Sequence, residues 1–305
     1  MFISPEPCLS TGFFFKTRNK QETGKVTARF AWYTHHHRAK ERHDGGMDML
    51  TIIQTERMKL KRKRVFEGIW VLTAMLLIFA VQRAFSISRE SRLMDSLGDL
   101  YALTFKNLTS LYLPIALGIL ATAVFFDERK NDTLKELLIV PITKAELYFS
   151  KAAIVMLVSI SQCVFTYAGA TLGGLWAKGF PDFTLEMLMD GFVLFMEGGL
   201  LTPMAMAPIL LLAVLRSKDY LLPISATLLY LIPVVIAPSY AMEIHPLASA
   251  LCIYAQSSSF AAEMVMTLTQ GARIAANPLV CCLNIGIIAV LCSAAAIVSL
   301  KRQNY

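Results

Sequence analysis

Residues 107–177 read NLTSLYLPIALGILATAVFF (Asn107–Phe126), DERKNDTLKELLIVPITKAELYFSK (Asp127–Lys151) and AAIVMLVSISQCVFTYAGATLGGLWA (Ala152–Ala177). The two outer runs are apolar and long enough to cross a hydrocarbon layer of about 30 Å as helices. The charged stretch between them is too short to be a domain. It therefore reads as a loop joining two membrane spans, and this reading decides the fold class.

Working outward, the same signal recurs. Further spans are expected at Phe66–Ser86, Gly191–Leu215, Tyr220–Met242 and Pro278–Leu300. The fourth and fifth are separated only by Arg216, Ser217, Lys218 and Asp219, so they form a tight hairpin. Pro203, Pro208, Pro223, Pro233 and Pro238 predict kinks within it, which bilayers tolerate when neighbouring helices satisfy the freed carbonyls. The expected fold is all-α, a polytopic membrane protein with six transmembrane helices, whose body fills residues 66–305. Of the 305 residues, 55% are hydrophobic and 17% charged, and the mean hydropathy is +0.53. No soluble stretch of about 100 residues remains for a nucleotide-binding or catalytic domain. Any energy source is expected on another chain.

The net charge of +7 divides unevenly. Residues 1–46 hold eight Lys/Arg against four Asp/Glu, while the other 259 residues hold 21 against 18. The excess belongs to a tail and to span-flanking positions, which argues against nucleic acid as a partner. With both termini cytoplasmic, the inner side after Met47 carries 15 Lys/Arg, among them Lys61–Arg64, Lys144, Lys151 and Arg302, against six outside. The positive-inside rule selects this orientation in a cell membrane. Residues 1–46, with His35, His36 and His37, show no sustained period and read as a disordered tail or an over-extended start, with translation beginning near Met47 or Met49. Residues 47–65 form a basic amphipathic segment before the first span. Cys8, Cys163, Cys252, Cys281, Cys282 and Cys292 form no CxxC pair and read as reduced structural residues, with Cys252 in a loop-like region.

In the charged connection, Thr133 and Glu136 make a capping box that starts a short helix, and Pro141 ends it. Leu134, Leu137, Leu138 and Pro141 then share one face. A second box, Thr143 with Glu146, starts a helix running directly into the third span. Such a capped, amphipathic rod can float at the membrane surface. It also suits a groove on a soluble partner that pushes it.

This pattern resembles the type-2 ABC permease family: an acidic residue, a Thr-Leu-x-x-Leu-Leu element, Pro-Ile or Pro-Val, a Ser/Thr with a basic residue, and Ser/Gly-Lys at the third span. The matching positions are Glu128, Thr133, Leu134, Leu137, Leu138, Pro141, Ile142, Thr143, Lys144, Ser150 and Lys151. Asp132 replaces the frequent Gly before the Thr, but aspartate is itself a good cap. The resemblance implies a permease whose coupling helix, residues 133–140, docks on an ATP-binding cassette ATPase subunit, with ATP bound there and no cofactor on this chain. It also implies a second permease copy or a related permease, and an exported antimicrobial peptide or other hydrophobic compound. Competing readings are a non-transporting sensor or assembly protein, and a secondary transporter.

Elsewhere the signals are sparse. Glu197, inside the fourth span, either lines a substrate path or sits near the outer headgroups. Asn284 and Gln162 read as helix-packing groups. The connection Glu243–Asn277 contains apolar pieces that predict short helices lying in or dipping into the outer leaflet, and in the resembling family this region caps the pathway. Gly24-Lys25-Val26-Thr27 fails the phosphate-loop spacing because position 19 is Asn and position 26 is Val. There is no HExxH, and His245 is the sole histidine beyond the tail, so no metal or catalytic site is expected on this chain.

Overall fold

The computed structural model describes residues 53–55, 57–58, 64–90, 96–130, 143–177, 180, 182–216, 220–236, 238–268 and 277–302. The expectations for the tail therefore lie outside the described residues. The described chain is helical and belongs to one unit, Asp48–Tyr305. In order, the elements are α1 (Arg64–Glu90), α2 (Leu97–Asn107), a π-helical turn (Leu108–Tyr112), α3 (Leu113–Lys130), α4 (Lys144–Ala177), α5 (Leu185–Ala205) and α6 (Ala207–Leu215). These are followed by α7 (Leu221–Ile236), α8 (Pro238–Ala241), α9 (Pro246–Ser257), α10 (Ser259–Leu268) and α11 (Pro278–Arg302).

Five helical stretches among the described residues are long and apolar enough to span a membrane: Val65–Phe85, Leu97–Phe126, Lys144–Ala177, Leu185–Leu215 and Pro278–Arg302. The all-α polytopic reading holds, while the expected fifth span, Tyr220–Met242, contains α7, a 16-residue apolar helix. Pro238 opens the next short helix, consistent with proline lacking the N–H needed to continue one. The second span starts at Leu97, ten residues before its expected start at Asn107. Ser96 caps that start by accepting from the Asp99 N–H at 3.1 Å. Polar residues are tolerated in this early part because protein surrounds it. In its most apolar window, 72% of the second span is buried, against 17% of α11.

Burial orders the helices. The second and fourth spans are the most buried, at 72% and 61% of their most apolar windows; α5 packs on α4, α6 on α11, and α7 on α3, while α1 lies along α4. Exposed Val71, Met75 and Ile78 on α1, and Leu283, Ile287 and Val290 on α11, are apolar surface of the kind lipid covers.

The fourth span is not one unbroken helix. Pro203 has no N–H, so the Gly199 carbonyl one turn earlier lacks its helical partner. The Ser159 hydroxyl of α4 donates to it at 2.8 Å. This reach requires close helices: a Cβ on Gly199 would stand 3.1 Å from the Ile160 Cα. At Met206 the helix breaks, and Ile209 N–H bonds the Met206 carbonyl at 3.0 Å. The Ala205 carbonyl accepts instead from the Tyr230 hydroxyl of α7 at 2.7 Å. Both irregular points have partners from other helices, as a low-dielectric setting demands.

Candidate functional site

Two places concentrate polar chemistry: the basic end, where α3 stops and α4 and α11 meet, and the opposite end, where α9 and α10 are inserted.

At the basic end, the second predicted capping box is formed. Thr143 N–H donates to Glu146 Oε2 at 2.9 Å, and Glu146 N–H donates to Thr143 Oγ1 at 3.2 Å. From this start α4 runs 34 residues without interruption to Ala177. Its first two turns present Lys144, Tyr148 and Lys151, spaced i, i+4 and i+7 on one face. Lys144 Nζ donates to the Leu300 carbonyl of α11 at 2.9 Å. Tyr148 Oη donates to Ser293 Oγ of α11 at 3.1 Å, and its ring stacks on Phe125 with centroids 6.4 Å apart. Lys151, 1% exposed, donates to the Val124 carbonyl of α3 at 3.0 Å and lies 5.2 Å from the centre of the Phe125 ring. A lysine buried to this extent needs hydrogen-bond acceptors and ring contacts to offset its desolvation.

Of the coupling residues expected from the sequence, Thr133, Leu134, Leu137, Leu138 and Pro141 lie outside the described residues, and so does the side chain of Glu128. Lys144 is in place at the junction. Tyr148 was missed, although its position between two lysines on one helical face was readable.

At the opposite end, aromatic side chains interlock. Phe105 meets Tyr254 and Phe195 edge-on, with centroids 5.0 and 5.2 Å apart. Tyr101 shares a hydrogen bond with Thr171 at 2.8 Å, and Tyr254 shares one with Thr202 at 3.2 Å. Glu197 of α5 accepts a hydrogen bond from Ser257 at the end of α9. Its carboxylate is therefore tied to the inserted hairpin through a partner 60 residues away in the chain, which no local pattern announces. The connection after α8 does form the two expected short helices. Cys252 lies within α9 and is fully buried, which corrects the loop-like reading. Asn284 Nδ2 donates to Ser249 Oγ at 2.8 Å, a helix-packing role as expected. His245 precedes α9 with its ring 4.2 Å from that of Tyr230.

Among the described residues the arrangement is a membrane helix bundle with a wired junction at one end and a helical plug at the other. A search of curated proteins finds no match. Residues 52–234, more than half of the chain, match the family described as ABC-2 family transporter protein. The chain belongs to that family, a membership that implies a multi-pass transporter component embedded in a membrane and served by an ABC ATPase.

Proposed function

We propose that this chain is the permease subunit of an ATP-driven exporter in the cytoplasmic membrane, with both termini on the cytoplasmic side. Residues 133–140 are its coupling helix, with Leu134, Leu137, Leu138 and Pro141 seated in a groove on the ATPase and Glu128, Thr133 and Lys144 setting the rod's ends. ATP is bound and hydrolysed on that partner, and this chain carries no cofactor and no catalysis of its own. Two permease copies, or this chain and a related one, work with two ATPase copies. The cargo is an antimicrobial peptide or another hydrophobic compound, and Glu197 faces its path.

The observation that carries the reading, beside family membership, is the junction of α4. A rod is useful for coupling only if its displacement is not absorbed by a soft joint. Here the chain leaves residue 142 directly into a capped helix 34 residues long, whose first two turns are hydrogen-bonded to α3 and α11. Displacement delivered at Thr143 is therefore carried into a span.

Replacing both Leu137 and Leu138 with Asp places charge on the apolar face while leaving every span unchanged. The double variant is expected to insert normally but to lose co-purification of the ATPase and export. Unchanged ATPase association and export of a hydrophobic peptide panel would overturn the coupling assignment.

A further inference from the structure

The junction at the basic end has an output that the coupling reading does not itself require. Leu300 lies in the last turn of α11, which ends at Arg302, so its carbonyl has no N–H four residues on within the helix. Lys144 of α4 supplies the missing donor, capping a helix that is not its own. Tyr148 adds a second bond about two turns further along α11, at Ser293.

The other end of the same helix is also tied. Asn284 donates to Ser249 of α9 at 2.8 Å, and Cys281 Sγ reaches the Met242 carbonyl, just before α9, at 3.6 Å. Ser249 in turn donates to the Met242 carbonyl at 2.6 Å, so that tie is a small network. Between Cys281 and Leu300 runs uninterrupted helix, about 28 Å at 1.5 Å per residue. Between these ties one face of α11 packs on α6 and α5 and the other is open, so that only 17% of its most apolar window is buried.

An uninterrupted helix with one face open and hydrogen bonds at both ends transmits axial and tilting displacement. We infer that α11 is a connecting rod: Lys144 and Tyr148 pass the motion of residues 131–142 to it, and Asn284 passes that motion on to the α9–α10 hairpin about 24 Å away. Lys144, Tyr148 and Asn284 are positioning residues in this scheme. The hairpin it moves carries Tyr254 and Ser257, the partners of Thr202 and Glu197 on the fourth span. One event at the basic end thus alters the packing around Glu197 at the other. The inference rests on the coupling reading of residues 133–140.

Hydrogen exchange read by mass spectrometry on the full-length chain with its co-purified ATPase, in lipid nanodiscs with and without MgATP plus orthovanadate, tests it. In the unaltered complex, nucleotide trapping is expected to change exchange in residues 131–142, in the last turns of α11 and in α9. Lys144→Met should leave the change in 131–142 and make those in α11 and α9 several-fold smaller, and Lys144→Arg should restore both. Asn284→Leu should keep the change at the basic end of α11 and lose the one in α9. If Lys144→Met and Asn284→Leu both leave α9 responding as in the unaltered complex, the rod is wrong while coupling stands. If trapping leaves residues 131–142 of the unaltered complex unchanged, the coupling reading falls and the rod falls with it.

Discussion

The two ends of the bundle are held by different physics. At the basic end, long polar side chains cross between helices and grasp backbone carbonyls, as Lys144 does at Leu300 and Lys151 at Val124. At the opposite end, Tyr101, Phe105, Phe195, Tyr254 and Phe260 fill space against one another with almost no exposure. Directional bonds on flexible stems can swing with a moving helix and stay made. Interlocked rings cannot, because cores of crystalline density resist small shifts until they repack. The first arrangement suits a joint and the second a gate with discrete positions.

That contrast predicts unequal responses to truncation. Tyr254→Ala removes a fully buried ring against Phe105 together with the hydroxyl bonded to Thr202. The expected loss is about 3–5 kcal/mol, the range for buried aromatic truncation. Lys144→Met keeps most of the apolar stem and loses the hydrogen bond to the Leu300 carbonyl, for an expected loss of about 1 kcal/mol. Thermal or denaturant unfolding of the purified chain in detergent measures both. Equal losses would show that the basic end is a packed core and not a joint.

A finer test concerns the fourth span, where the contrast breaks down locally because one directional bond sits among packed helices. Ser159→Ala deprives the Gly199 carbonyl of its donor and is expected to cost about 1 kcal/mol. In a Pro203→Ala background the new N–H at position 203 can reach that carbonyl. The same serine substitution should then cost close to nothing. A double-mutant cycle by denaturant unfolding gives the coupling, and additive losses would mean that the serine serves some purpose other than replacing the proline's missing donor.

How much of this was legible in the sequence follows the same division. At the basic end the Thr143–Glu146 box was legible because its logic is local, three residues apart and needing nothing from the rest of the fold. Lys144–Leu300 and Tyr148–Ser293 join residues far apart in the chain and were not. The opposite end was not, because its partners are distant in sequence. Nothing near Glu197 announces Ser257, and nothing near Pro203 announces Ser159. The second span started ten residues early because Asp99, Thr104 and Lys106 dilute its hydropathy, and a hydropathy window cannot distinguish a helix sheltered by protein from one leaving the bilayer. The fifth helix was drawn too long for the converse reason: apolar residues continue to Met242, but Pro238 belongs to a new helix. Cys252 was read as loop-like because short helices rich in Ala and Ser, such as α9, give a weak periodic signal.

The smallest effect expected separates the ends by pH. His245 stands in the connection before α9, outside the spanning helices, with both ring nitrogens shut off from solvent and without a hydrogen-bond partner among the described residues. Burial pushes its pKa down from the usual 6.5, and the nearby Tyr230 carbonyl opposes this only in part. A histidine whose folded pKa is depressed binds its proton more readily when unfolded. Its neutral form is therefore favoured in the fold, and no stability is lost to it well above pH 6.5. As pH falls through 6.5 toward the depressed folded value, the unfolded state takes up the proton first and stability declines. Unfolding midpoints recorded from pH 7.5 to 5.5 should thus fall, and His245→Gln should flatten that slope. The slope should survive Lys144→Met, since nothing at the basic end touches this ring. A slope that persists in His245→Gln would place the acid-sensitive group elsewhere, and one abolished by Lys144→Met would mean that the two ends are thermodynamically linked even without nucleotide.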